Sequence, residues 1–172
     1  MKVGSADFVG STENAPSLST SVYISSDEQY RGRYVFHNEI REGVTEVFAG
    51  LGKAYGLAIL SGDNEGEKKR LVELLPKGTE FLFNQKPEDK LNFIRSLQEK
   101  GRKVIMVGDG LNDAGALMQS QVGIAVSENV NVFSPACDGI LDASVFKQLN
   151  RFIEAAKSSI TVIKVSLSLI HI

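Results

Sequence analysis

An α/β fold, a parallel sheet with helices on both faces, is what this sequence predicts, and three observations predict it. Short apolar runs of strand length, at residues 56–60, 104–107, 122–126 and 139–141, alternate with stretches whose apolar residues recur at helical spacing. The runs at 104–107 and 122–126 lack polar alternation, as strands buried on both faces do. Two of the runs end in turns that carry acidic residues, Ser61-Gly62-Asp63 and Gly108-Asp109-Gly110, at the strand ends where open α/β sheets bind ligands.

The chain is organised around residues 104–117. A Val-Ile-Met-Val strand runs into Gly108, Asp109 and Gly110, where the two glycines, having no Cβ, let the backbone turn. Asn112 or Asp113 can then cap a helix that continues through Ala114, Ala116 and Leu117. Asp109 and Asp113 put two carboxylates in one small turn, a hard-oxygen arrangement suited to a magnesium ion that keeps most of its waters and takes a phosphate oxygen. The same dipeptides, taken singly, also serve as loop punctuation and as a plain helix cap. The whole string is hard to explain as packing alone.

In chain order, residues 2–5 look like the end of a strand entering a short helix, with nothing before them to pair with. Residues 11–20 are polar and hold Pro16, which makes a loop. Residues 20–25 and 33–37 form the strands of a hairpin joined by a polar turn over 26–32. A helix carries Val44, Val47, Phe48 and Leu51 on one face and ends between Gly52 and Gly56. After the strand at 56–60 come a helix over 65–75, a weak strand over 80–83, and a helix over 87–100 opened by Pro87. Beyond the central strand, 122–126 and 139–141 are strands and 129–135 a loop or short helix. Residues 145–172 form a long helix that grows more apolar toward its end. It either lies on the sheet or begins a membrane helix; its apolar run is shorter than the roughly 20 residues a bilayer needs.

With 172 residues the chain can bury one substantial core. Nineteen Lys and Arg against 21 Asp and Glu give a formal net charge of -2, so nothing points to nucleic acid or anionic lipid as a partner. The single cysteine, Cys137, excludes an internal disulfide and suits a small buried side chain. His37 and His171 have no metal-ligand spacing, Phe81, Phe83 and Phe93 look like core, and no secretory signal is visible.

The strings Ile59-Leu60-Ser61-Gly62-Asp63, Lys86-Pro87-Glu88-Asp89-Lys90, Val107 through Leu117 and Val122-Gly123-Ile124-Ala125 stand in an order and spacing that resembles the P-type cation-transporting ATPases of the haloacid dehalogenase superfamily. The resemblance covers nearly the whole chain. It implies a Rossmann-like parallel sheet and ATP-driven metal transport through an aspartyl phosphate, with Mg2+ and ATP bound. Val3-Gly4-Ser5 is similar to the end of the family's nucleotide-binding domain. Ser134-Pro135-Ala136-Cys137-Asp138 and the run over 160–172 are most similar to the copper-transporting branch.

Residue by residue, the resemblance implies that Ser61 hydrogen-bonds the phosphoryl group and that Gly62 and Asp63 line its pocket. Lys90 would neutralise the phosphoryl oxygens and the attacked carboxylate, Asp109 and Asp113 would serve the magnesium ion, and Asn112 would hold Asp109 in place. Asn38 stands where the family has aspartate, and Gly115 where it has proline. The Asp-Lys-Thr-Gly-Thr loop that carries the nucleophile has no counterpart here.

The expectation is therefore a C-terminal piece: residues 1–32 a remnant of the nucleotide-binding domain, 33–150 the phosphorylation domain without its first strand, and 151–172 a helix leading into a truncated transmembrane segment. Its partners would be the rest of the same transporter and the transported cation, with this portion on the cytoplasmic side of a membrane. The missing strand belongs between those ending at Ser61 and Gly108, so the chain is expected to pair them directly or to be unstable. A stand-alone phosphatase of the same superfamily and a non-catalytic module that binds magnesium and phosphate are the alternative functions.

Overall fold

The structure, a computed structural model, describes residues 1–11, 20–27, 29–36, 40–109, 111–128 and 136–170. The expected turn at Gly110, the loops at 12–19 and 129–135, Asn38 and both histidines lie outside the described residues.

The chain opens on an antiparallel sheet in the order β1 (Lys2–Gly4), β2 (Thr20–Ser26), β3 (Gln29–Phe36), with α1 (Ala6–Val9) after the first strand. The Ser5 hydroxyl caps α1 by accepting from the Phe8 amide at 3.3 Å. β1 pairs with the strand that follows it, Val3 lying opposite Ile24 of β2. One expectation is corrected here: β3 begins at Gln29 rather than at Arg33. A bulge at Ile24/Ser25 breaks the register, so the apolar alternation that marks a strand is lost over its first residues. The expected domain boundary after residue 32 falls inside β3.

The rest is α/β: α2 (Val44–Leu51), β4 (Ala58–Leu60), a 3-10 turn (Glu65–Glu67) running into α3 (Lys68–Leu74), β5 (Glu80–Leu82), α4 (Pro87–Glu99), β6 (Ile105–Gly108), α5 (Ala114–Gln119), β7 (Val122–Ser127), β8 (Gly139–Asp142), a second 3-10 segment (Ala143–Gln148) and α6 (Leu149–Ile170). β6, β7 and β8 pair in that order, all parallel, with Val107 beside Ile124 and Ala125 beside Ile140. The strand period of two sends alternate side chains to opposite faces. Met106 and Ala125 join Ile94 of α4 and Ala116 and Leu117 of α5. Val107, Ile124 and Val126 pack on the other face against Val47 of α2, Phe146 and Leu149. Phe93 and Cys137 sit partly buried against the first cluster, and Phe83 is buried with Phe81 stacked beside it.

Gly123 sets how closely α5 approaches β7. A Cβ there would lie 2.6 Å from the Leu117 carbonyl oxygen and 3.0 Å from its carbon, and a backbone obstacle cannot swing aside. Gly123→Ala is expected to cost about 1–3 kcal/mol through overpacking, measured as a lower urea midpoint at unchanged slope.

β4 and β5 form a separate parallel pair, Ile59 beside Phe81. Leu60 packs on the Ile94 and Met106 cluster, so the two ladders share a core. Among the described residues β4 and β6 nevertheless exchange no ladder hydrogen bonds. Direct pairing of these strands, one of the two outcomes expected from the sequence, is not adopted.

α6 docks only by its first turns. Asn150 Nδ2 donates to the Val47 carbonyl at 3.2 Å, Ile153 joins the second cluster, and the Lys157 ammonium sits 4.6 Å from the Tyr55 ring centre. Further along, Ile160, Val162, Ile163, Val165 and Leu167 are each more than half exposed, so this part lies on no sheet, contrary to one of the two sequence readings. Among the described residues, no helix is long and apolar enough to cross a membrane.

Candidate functional site

The parallel strands deliver the candidate residues in two groups. In the first, α4 starts at the carboxyl end of β5 with Pro87 in its first turn and Asp89 reaching back to accept from the Lys86 amide at 2.9 Å. Lys90 shares a buried face with Ile94, one turn on. Helical side chains lean toward the N-terminus, so the Lys90 stem follows the core and its ammonium reaches the sheet edge. There Nζ donates to Asp113 Oδ1 at 2.6 Å, the two side chains only 10% and 12% exposed.

Asp113 occupies the cap position of α5, yet its carboxylate caps no amide; it is turned to Lys90. Gly108 makes room for it. A Cβ at Gly108 would run into the Asp113 carboxylate, with Asp113 Cβ 2.9 Å and Cγ 3.0 Å away. The sequence assigned Gly108 to turning the chain, but its backbone is not left-handed and the requirement is space. At Gly115 a Cβ would lie 3.1 Å from Leu91 Cδ1, another close approach between α4 and α5.

Asp109, the first residue past β6, is exposed. Its Oδ1 accepts from the Leu111 amide at 3.1 Å and the Asn112 amide at 3.4 Å. Asn112 thus meets Asp109 through its backbone and not through its side chain. No donor among the described residues reaches Asp109 Oδ2.

The second group is the turn after β4. Ser61 Oγ accepts from the Asp63 amide at 3.1 Å, and the turn is tied to the end of β5 by Asn84 N to Asp63 O and Gln85 N to Ser61 O, both 2.9 Å. Gly62 lies against this junction, its Cβ position 3.4 Å from the Gln85 carbonyl oxygen. Asn84 takes a left-handed φ of 56°, a conformation asparagine tolerates better than most residues. Sequence reasoning missed Asn84 and Gln85; an asparagine directly after a strand was the signal available. No described hydrogen bond or ion pair joins this group to Lys90, Asp109 or Asp113.

Among the described residues no three His, Cys, Asp or Glu side chains gather as a metal cage. Magnesium needs only one or two carboxylates with waters and a phosphate oxygen, and exposed Asp109, with Oδ2 unengaged, fits that requirement. Asp113 gives one oxygen to Lys90, so it fits as a neighbour holding the lysine more readily than as a full ligand. The arrangement can place a cation and an ammonium beside a phosphoryl group. Among the described residues it shows no activated serine, since Ser61 Oγ accepts from the Asp63 amide and no described carboxylate is its partner.

Residues 1–120 match the family described as haloacid dehalogenase-like hydrolase. A copper-transporting ATPase of Helicobacter pylori strain J99 is 33% identical over 177 aligned residues, 97% of this chain and 23% of that protein. A probable copper-importing P-type ATPase A of Enterococcus hirae is 29% identical over 86% of this chain and 21% of its own length. The solved structure of a zinc-transporting PIB-type ATPase in the E2.Pi state superposes with a TM-score of 0.67 at 27% identity, covering 86% of this chain and 24% of that one. The chain thus spans less than a quarter of the curated relatives it matches.

Proposed function

The chain belongs to the haloacid dehalogenase-like hydrolases, and from that membership we propose that it supplies the phosphoryl-stabilising site of an ATP-driven heavy-metal cation pump of the P-type kind. The observation that carries this reading is the buried Lys90–Asp113 pair together with the exposed carboxylate of Asp109, directly past β6, whose Oδ1 accepts from two amides and whose Oδ2 meets no described donor. An ammonium has three donors. Asp113 takes one and fixes the side chain, and the others are available to the phosphoryl oxygens and to the carboxylate that attacks.

In this reading an aspartate carried elsewhere in the protein attacks the γ-phosphorus of ATP. The bond to the bridging oxygen breaks, ADP leaves with that oxygen, and an aspartyl phosphate forms; water later releases phosphate. Charge on the three phosphoryl oxygens is met by Lys90 and by the Ser61 hydroxyl, while Gly62 and Asp63 shape the pocket with their backbone. Asp109 would hold magnesium, with Asn112 and Asp113 ordering its surroundings, and the ion when bound supplies further neutralisation of phosphoryl charge. The separate β4-β5 and β6-β7-β8 ladders support a nucleophile strand seated between them. The transported cation, the rest of the transporter and a membrane would be the partners, with copper favoured by the names of the relatives and this portion on the cytoplasmic side.

The test is transfer of labelled γ-phosphate from ATP to the longer protein carrying this segment. A magnesium-dependent, acid-stable, hydroxylamine-sensitive label that turns over faster with copper or zinc is the expected result. A protein that hydrolyses small phosphomonoesters and takes no label from ATP would be a phosphatase, and the reading fails.

A further inference from the structure

The antiparallel sheet holds a second set of unsatisfied groups, far in sequence from the phosphoryl residues. Tyr23 of β2 and Arg33 of β3 are register partners, so their side chains share one face. Tyr23 is 3% exposed, and among the described residues its hydroxyl has no hydrogen-bond partner; Arg33 Nη1 is buried and likewise has none. None of the ion pairs among the described residues includes Arg33.

What the two groups lack in common is an acceptor. A guanidinium only donates, and a phenol donates readily. Buried donors left without acceptors cost folding free energy, so such pairs in native proteins call for an explanation. We propose that Tyr23 and Arg33 together bind an oxyanion, a phosphate or carboxylate group, on the α1 side of this sheet.

The surroundings suit such a ligand. Ser25, 3% exposed, lies two residues along on the same face, and Lys2, its register partner on β1, adds a second cation at the exposed end. Gly4 stands opposite Tyr23 with no side chain, and a Cβ there would lie 2.8 Å from the Phe8 ring, which places α1 on this face. The bulge at Ile24/Ser25 falls beside the pair, and bulges commonly re-aim side chains at binding sites. Among the described residues of this part of the chain, the carboxylates are Asp7, which is exposed, and Asp27, which is exposed and accepts from the Ser26 hydroxyl. This inference does not depend on the phosphoryl-transfer reading, because none of its residues belongs to that site.

The experiment is a residue-resolved NMR titration of the chain with inorganic phosphate, and separately with acetate, at constant ionic strength. Saturable shifts at the amides of Tyr23, Ser25 and Arg33 are expected, abolished by Arg33→Met and weakened about tenfold in affinity by Tyr23→Phe. Saturation by phosphate alone identifies a free phosphate or phosphorylated ligand; equal saturation by acetate identifies a carboxylate such as a protein side chain would offer. Shifts that stay linear with both anions, or that survive Arg33→Met, overturn the proposal. Thermal melts give an independent reading. In anion-free buffer Arg33→Met should melt about 2–4 °C higher, because an apolar side chain leaves no donor unmade, and phosphate should no longer raise its Tm. A lower Tm for Arg33→Met in that buffer means the guanidinium is already satisfied, which also overturns the proposal.

Discussion

Lys90→Ala is expected to lower folding stability by about 3–5 kcal/mol, the cost of leaving a buried carboxylate without its counter-ion. The size follows from the geometry and not from the strength of the pair itself. Nζ and Oδ1 are 2.6 Å apart and both side chains are about nine-tenths buried, so bulk solvent solvates the carboxylate poorly once the ammonium is gone. Asp113 is also fixed at its backbone, whose carbonyl accepts from the Leu117 amide in the first turn of α5. The double variant Lys90→Met/Asp113→Leu should recover most of the loss, because apolar side chains of similar volume need no counter-charge. Urea unfolding of the single variants and the double variant measures this directly. If Lys90→Ala costs less than about 1 kcal/mol, the range of exposed pairs, the pair is open to solvent and its place in the site must be given up.

That pair also marks where the sequence stops being informative. The strand and the helix of the string from Val104 to Leu117 were legible because their signals are local, an unbroken apolar run and a helical continuation; that Gly108 makes room and that Asp113 turns to Lys90 instead of capping α5 was not. The alternation of Met106 and Val107 between two cores is likewise written in a period of two. The bond from Lys90 to Asp113 spans 23 residues and depends on how α4 settles on α5, which no local pattern encodes. The same holds for strand partners. Nothing in residues 56–60 or 104–107 says that β4 pairs with β5 and leaves β6 alone, because hydrogen-bonding edges look alike in sequence. β3 was read as starting late for a different reason: a bulge and a glycine at φ 147° interrupt the alternation by which strands are recognised.

Asp109→Asn is expected to show the opposite signature to Lys90→Ala, with unchanged stability and a loss of phosphorylation of about a hundredfold or more in the longer protein. Asp109 is exposed and joins no ion pair among the described residues, and an asparagine carbonyl can still accept from the Leu111 and Asn112 amides that Oδ1 meets now. Its effect on stability should stay within about 0.5 kcal/mol, as for surface substitutions without special contacts. What disappears is the negative charge on a hard oxygen, the property magnesium requires and a neutral amide supplies poorly. Label transfer from ATP, followed as magnesium is raised, separates two ways the variant could fail. A rate restored at high magnesium means that Asp109 only strengthens ion binding; a rate low at every concentration means that its charge also acts on the reacting phosphoryl group. Wild-type labelling at ordinary magnesium would remove Asp109 from the ligand set. The candidate site would then have to be rebuilt around Asp113, whose carboxylate the structure already commits to Lys90.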